Sequence, residues 1–255
     1  MTSFHTSIKE SWKKEEEYRT CDVMVTSMAR LIQGGETGFH GVWSHMPMRA
    51  TLLAKRMHAK NAVHLNIPGG VDPQNPKLQK YTSAGNEIFA PGCAAFPLQE
   101  VFDLSMRGGL SVAFLSGIQF DVNGNVNASV IGDYRKPKVR MPGGAGSAVL
   151  IPTARRAILW RTKHDRRTFV EHVDFVTTRG NVDRIVTPLC IFKYENGALR
   201  LESIHPGVTF EEVQENTAFP LSRENVFGTK PPTPEELQLL RMIDPNDYRN
   251  IEFRS

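Results

Sequence analysis

Residues 98–117 read LQEVFDLSMRGGLSVAFLSG, and the fold class turns on how they divide. Residues 98–107 predict a helix, which Gly108-Gly109 ends by supplying backbone conformations that side chains resist. Residues 110–117 are then an almost uninterrupted apolar run of strand length, the pattern of a central strand covered on both faces. A helix leading through a glycine turn into a doubly covered strand is the repeating unit of an α/β sheet.

The same rhythm continues on either side. Upstream, residues 22–33 carry apolar side chains at helical spacing and stop at Gly34-Gly35; a strand is expected around Phe39 to Trp43, a helix from Met46 to His58, and a strand over AVHLNI (62–67) that breaks at Pro68-Gly69-Gly70. The charge-rich opening, residues 6–19, places Ile8 and Trp12 four apart, as a surface or partner-binding helix would. Downstream, strands are expected over Ala148 to Pro152, Ala157 to Thr162, Val170 to Thr177 and Leu189 to Tyr194, with Asn196-Gly197 as a hairpin turn. FEEVQENT predicts a short helix, residues 220–234 a proline-rich connection, and PEELQLLRMI a last helix begun by Thr233 and Pro234. This divides the chain into an N-terminal extension over 1–20 and one domain over 21–255, with a helical tail from about residue 211.

The composition narrows the class of function. Of 255 residues 40% are hydrophobic and 23% charged, ordinary for a globular domain and unlike disordered or fibrous chains. No apolar run reaches the roughly 20 residues of a membrane span, and the N-terminal stretch lacks a secretory apolar core, so a cytoplasmic protein without a membrane partner is expected. Cys21, Cys93 and Cys190 are scattered, without the paired spacing of a disulfide framework or zinc site. The net charge of +4 does not call for nucleic acid. Lys136, Lys138 and Arg140, and then Arg155, Arg156, Arg161, Arg166 and Arg167, form local basic clusters; they read either as a solvated face or as a landing surface for an anionic substrate.

The chemistry concentrates in residues 117–147, GIQFDVNGNVNASVIGDYRKPKVRMPGGAGS. Glycine at this density lets the main chain approach a ligand and aim amide hydrogens at developing negative charge. Gln119, Asp121, Asn125 and Asn127 add amide and carboxylate groups in the same small volume. This loop and IPGGVD (67–72) both follow expected strands, and open α/β sheets bind ligands at that end. The chain has no GxGxxG leading into a helix, no GxxxxGK[ST], no HExxH and no GxSxG, which argues against dinucleotide, P-loop, zinc-protease and serine-elbow chemistry. Histidines 40, 45, 58 and 64 crowd one region without a ligand pattern, so no metal is expected. HPGVT (205–209) reads as a loop, and Asp133-Tyr134 as an anchor for a basic neighbour or a plain surface pair.

Taken in order, QFDVNGNVNASVIGDYRKPK, the glycine loop after it, DFVTTRG (174–180) and HPGVTFEEVQENTAFPL (205–221) resemble the beta subunits of class I coenzyme A-transferases, glutaconate CoA-transferase above all. The resemblance runs from about residue 20 to the C-terminus. It implies an α/β fold with a mainly parallel sheet flanked by helices, a separately encoded homologous alpha subunit, and an active site between the two. The substrate would be an acyl-CoA thioester, with coenzyme A arriving as part of it and no bound cofactor.

Transferases of this kind attack the thioester with a glutamate in a Glu-Ser-Gly or Glu-Asn-Gly signature after the strand that AVHLNI matches. This chain reads Asn66-Ile67-Pro68-Gly69-Gly70 there, and neither Asn66 nor Ile67 can form an acyl anhydride. Glu87, farther along, is the nearest downstream glutamate, and a surface role suits it better. Steroid-ring hydrolases similar to CoA-transferases lack that glutamate and rely on one in the alpha subunit, and their beta-subunit tail resembles PPTPEELQLLRMIDPNDYRNIEFRS. A related branch with cysteine decarboxylates a glutaconyl-type ester. The resemblance thus favours CoA-ester ring hydrolysis, with authentic CoA transfer as the alternative and a non-catalytic subunit as a third reading. On it, Gln119, Asn125 and Gly144 position substrate or oxyanion, while Asn66, Gly69, Gly70, Asn127, Gly143 and Gly146 line the substrate site.

Overall fold

The computed structural model describes residues 18–67, 69–73, 76, 79–89 and 92–253; the helix expected over 6–19 lies almost wholly outside them. At its centre five strands run parallel: β1 (Thr37–His40), β2 (Val63–Leu65), β5 (Val112–Leu115), β10 (Arg156–Trp160) and β11 (Val182–Val186), in the order β11-β10-β5-β1-β2. Beyond β2 the short strands β3 (Gly70–Val71) and β4 (Ala94–Ala95) add on antiparallel. Beyond β11 come β12 (Cys190–Glu195) and β13 (Ala198–Ile204), both antiparallel, and then β14 (Phe227–Gly228), parallel to β13. The mainly parallel α/β sheet is thus present at the core, with antiparallel wings.

Strand β5 shows why the centre forms. All four of its residues are buried, and they alternate between two apolar clusters. Val112 and Phe114 pack with α1 (Thr20–Leu31) and α2 (His45–Met57); Ala113 and Leu115 pack with Val101 of α4 (Gln99–Met106) and with Leu150 and Ile151 of α5 (Ser147–Thr153). Burying a large apolar side chain contributes about 1.5–3 kcal/mol, so a strand buried on both faces sits where the sheet gains most. The hairpin turn holds as expected: Asn196 (φ 53°) and Gly197 (φ 81°) take the left-handed pair that matches strand twist between β12 and β13.

The chain then runs through α6 (Phe210–Glu215) to α7 (Pro234–Ile243) and a 3-10 turn over Tyr248–Phe253. The α7 start is built as its sequence suggests: Thr233 Oγ1 accepts the Glu236 amide at 3.2 Å, and the Glu236 carboxylate accepts the Thr233 amide at 2.7 Å. Buried charges dock this tail. Arg49 pairs with Asp244 at 2.9 Å, and Arg249 pairs with Asp22 at 2.6 Å and Asp244 at 3.1 Å.

Three local expectations fail. Residues 148–152 are helical within α5, because Gly144 O accepts the amides of Ser147 and Ala148 and starts a helical turn; a short apolar run alone does not separate helix from buried strand. Residues 170–177 form no continuous strand: Val170 N and Thr177 N reach the backbone oxygens of Phe120 and Val126 at the two ends, but between them Val173 N donates to Asp121 and Asp174 N to Gln119. The strand expected to reach Trp43 ends at His40, and Trp43 itself has φ 57°.

Candidate active site at the carboxyl edge of the sheet

Because β1, β2, β5, β10 and β11 run parallel, their carboxyl ends open on one edge, and the residues that follow them gather there. Strand β5 leads into the ribbon of β6 (Gln119–Phe120) and β7 (Val126–Asn127), followed by β8 (Val130–Gly132) and β9 (Pro137–Arg140). Strand β2 leads into the Asn66–Gly70 corner. The corner and the ribbon are separated by β1, so at about 4.8 Å per strand they stand roughly 10 Å apart.

In the ribbon the amides are organised around Asn127. It is fully buried, its Nδ2 donates to Gln119 Oε1 and to Val130 O, both at 2.7 Å, and its Oδ1 accepts the amides of Ser129 (2.9 Å) and Val130 (3.3 Å). Every polar group of that side chain is therefore committed inside the chain. Gln119 Oε1 also accepts the Asp174 amide at 3.0 Å, whereas the Gln119 amide nitrogen has no partner among the described residues. Asn125 Nδ2 donates to Asp121 Oδ2 at 3.0 Å, and Asp121 Oδ1 accepts the amides of Asn123 and Asn125. That clasp holds the turn around Gly124, whose added Cβ would lie 2.7 Å from the Tyr194 ring.

The glycine loop is tied to the ribbon by its first amide: Gly143 N donates to Ala128 O at 2.9 Å. The amides of Gly144, Ala145 and Gly146 donate to nothing among the described residues, and Ala145 has φ 38°. Gly144 must remain glycine, since a Cβ would sit 2.8 Å from Ala148 Cβ and 2.9 Å from Thr177 Cγ2. Gln119, Asn127, Gly143 and Gly144 are thus one connected cluster, with Asn125 at the end of the same ribbon. Sequence reasoning missed what holds it: Thr177 Oγ1 accepts the Ala128 amide at 2.9 Å and bonds Ser129 Oγ at 2.7 Å, and Asp174 accepts the Gly132 amide. Their only sequence signal was the DFVTTRG stretch itself.

At the other corner Asn66 is fully buried. Its Oδ1 accepts the Gly70 amide at 2.9 Å and its Nδ2 donates to Ile88 O at 3.3 Å, on the four-residue helix α3 (Asn86–Phe89). Gly69 has φ 116°, and a Cβ there would lie 2.0 Å from Phe96 O. Among the described residues of the corner no side chain is a carboxylate; Glu87, one residue before Ile88, is exposed.

Burial holds five imidazoles and the Cys190 thiol uncharged. His40 and His64 are buried with ring centroids 5.0 Å apart, and burial lowers His40 to about 4 and His64 well below its ordinary value. Burial, reinforced by Arg49, takes His45 to about 4. His205 of HPGVT is lowered to about 4 by burial and bridges Thr229 Oγ1 and Thr187 O. Cys190 approaches His164 Nδ1 at 3.9 Å, but burial pushes the thiol up to about 12 and the imidazole down to about 3, so neither half is an activated dyad. Among the described residues no three metal-ligating side chains converge and no helix is long and apolar enough to cross a membrane.

Similarity to known proteins agrees with this geometry. The coenzyme A transferase family model matches residues 55–216. The beta subunit of 3-oxoadipate CoA-transferase from Pseudomonas knackmussii is 33% identical, over 89% of this chain and 94% of its own length. The cholesterol ring-cleaving hydrolase IpdB subunit of Rhodococcus jostii is 32% identical, over 61% of this chain and 68% of its own. The crystal structure of the decarboxylase AibA/AibB superposes with a TM-score of 0.86 at 28% identity, covering 92% of this chain and 99% of that one.

Proposed function

The chain belongs to the coenzyme A transferase family, and from that premise we propose that it is the beta subunit of a heteromeric acyl-CoA enzyme that hydrolyses a carbon-carbon bond of its thioester substrate rather than transferring coenzyme A. The observation that carries this is Asn66. By the resemblance, Asn66 or Ile67 falls where a transferase carries its nucleophilic carboxylate, and both ends of the Asn66 amide are bonded inside the corner. An amide so held cannot form an anhydride with an acyl group.

In this reading a carboxylate of the alpha subunit activates water or removes a proton beside the bound acyl carbonyl. This chain supplies the oxyanion donors. The uncommitted Gln119 amide nitrogen and the amides of Gly144 and Gly146 face no competing acceptor, and a donor of this kind lowers the barrier by about 3 kcal/mol. Asn127, Asn125 and Gly143 keep them in place through the bonds already described. Gly69 and Gly70 shape the corner left by the absent carboxylate. Coenzyme A enters and leaves with the substrate.

The test is chemical. The complex with its alpha subunit, incubated with an acyl-CoA and a free carboxylic acid, is expected to yield no exchanged thioester and no hydroxylamine-sensitive glutamyl thioester on this chain. Trapping that adduct here would overturn the reading. Transfer is the second reading, favoured by one observation: the 3-oxoadipate CoA-transferase relative matches 89% of the chain and the ring-cleaving hydrolase relative 61%. Glu87 is then the residue to test, since α3 lies against Asn66; full transfer activity in Glu87→Gln would remove it.

A further inference from the structure

Arg161 is the residue whose surroundings do not balance. Arg30, Arg49, Lys55, Arg156, Arg184, Lys193 and Arg249 are also sheltered from solvent, and each is in an ion pair. Among the described residues the Arg161 guanidinium alone of these sheltered cations has neither an ion pair nor a hydrogen bond, and its Nε is buried without a partner. The acid whose charge reaches it does not fill the gap: Asp165 accepts Thr168 Oγ1 and the amides of Arg167 and Thr168 at 2.9–3.0 Å, and pairs with Lys163 at 3.4 Å. Burial accordingly lowers the Arg161 pKa, with Asp165 opposing only in part. An uncompensated sheltered charge is costly to a fold and persists where a bound anion compensates it.

Its position says where that anion comes from. Arg161 follows the last residue of β10, and its amide donates to Val186 O at the end of β11. The carbonyl before it, Trp160 O, accepts Ser116 Oγ at 2.7 Å, and Ser116 opens the loop that carries Gln119. Arg161 therefore stands on the carboxyl edge beside the amide cluster, on the strand next to β5. A planar guanidinium there matches a carboxylate or a phosphate with two parallel hydrogen bonds.

We infer that Arg161 binds an anionic oxygen group of the acyl-CoA substrate, either a free carboxylate on the acyl chain or a phosphate of the coenzyme. The inference rests on the acyl-CoA reading of the site and adds a specificity residue to it. No hydrogen bond or ion pair within the described residues holds the Arg161 head group, so its charge is free to serve a ligand.

Calorimetric titration of the complex with its alpha subunit tests this, using glutaryl-CoA, which ends in a carboxylate, and butyryl-CoA, which does not. Arg161→Gln is expected to weaken glutaryl-CoA roughly ten- to a hundredfold, with partial recovery in Arg161→Lys. If butyryl-CoA binding is unchanged, the anion is the acyl carboxylate; if both thioesters weaken equally, it is a coenzyme phosphate. Unaltered binding of both thioesters by Arg161→Gln overturns the inference. Should Arg161→Gln fail to assemble, Arg161→Lys binding both thioesters as wild type does also overturns it, because lysine cannot make the two parallel hydrogen bonds on which the assignment rests. A wild-type complex that binds neither thioester nor free coenzyme A sinks the acyl-CoA reading, and the assignment of Arg161 with it.

Discussion

Asn66 Oδ1 accepts the amide of Gly70 at 2.9 Å, closing the corner that ends β2. The backbone repeats the clasp, with Asn66 N donating to Gly70 O at 3.0 Å and Gly69 N to Asn66 O at 2.8 Å. Asn66→Ala strands the buried Gly70 amide and the Ile88 carbonyl, so it is expected to lower stability by about 1–3 kcal/mol. Asn66→Glu is expected to cost more, since it buries a carboxylate in a site with no cation bonded to it. Urea unfolding of the two variants checks the order; an Asn66→Glu chain as stable as wild type would mean that the corner tolerates a nucleophile after all.

Gly69 carries the tightest steric constraint at the same corner. At φ 116°, with a Cβ position 2.0 Å from the backbone oxygen of Phe96, alanine meets both backbone strain and a wall that cannot rotate away. Gly69→Ala is expected to cost at least about 3 kcal/mol or to prevent accumulation of folded chain. Gly197→Ala is the control: its φ of 81° is also positive but its Cβ position is open, so the loss there stays near 1 kcal/mol. Equal midpoints for the two variants would show that the Phe96 segment yields.

These corners also show how far a sequence reaches. Residues 110–117 declare a central strand because nothing but burial on two faces explains so long an apolar run, and Asn196-Gly197 declares its turn because few residues take two left-handed conformations. Glycine density likewise marked 117–147, whose ribbon and glycine loop gather at the carboxyl edge. Residues 148–152 were illegible because AVLIP suits a buried strand as well as a helix, and only the Gly144 carbonyl, by collecting two amides, decides between them. The break in the middle of 170–177 depends on Gln119 and Asp121, some fifty residues earlier, catching the amides of Asp174 and Val173. The supports of the site, Thr177 and Asp174, were hidden for the same reason: their partners are distant in sequence.

Gln119 allows structure and chemistry to be separated. Its Oε1 holds Asn127 and Asp174, while its nitrogen is uncommitted. Gln119→Glu keeps an oxygen for both bonds but puts a buried carboxylate in place of the free N–H donor, so the urea midpoint is expected to fall while the complex still folds. If that nitrogen stabilises an oxyanion, kcat of the assembled complex falls about 10²–10³-fold while substrate affinity changes little. A fall in kcat with a rise in KM and a lost unfolding transition would instead assign Gln119 to the scaffold alone.

Acid stability follows from the buried imidazoles. Folded values of about 4 for His40, His45 and His205, about 3 for His164 and well below normal for His64 lie under the unfolded value near 6.5. Between those limits the unfolded chain binds more protons, so stability rises with pH and is lost as pH falls from about 6.5 toward 4. Asp244 and Glu236, lowered in the fold against the cost of their burial by bonds to Arg49 and Arg30, add a loss of the same sign at still lower pH. Glu252 opposes: burial raises it to about 8, so it favours the folded state as pH falls from 8 toward 4.5. One carboxyl set against five imidazoles does not reverse the trend, and the net loss between pH 7 and pH 5 is expected to be on the order of several kcal/mol. Urea unfolding at the two pH values measures it directly. A midpoint that holds or rises at pH 5 would mean that water or the alpha subunit reaches these rings and lets them titrate normally; unfolding the isolated chain and the complex side by side would tell which.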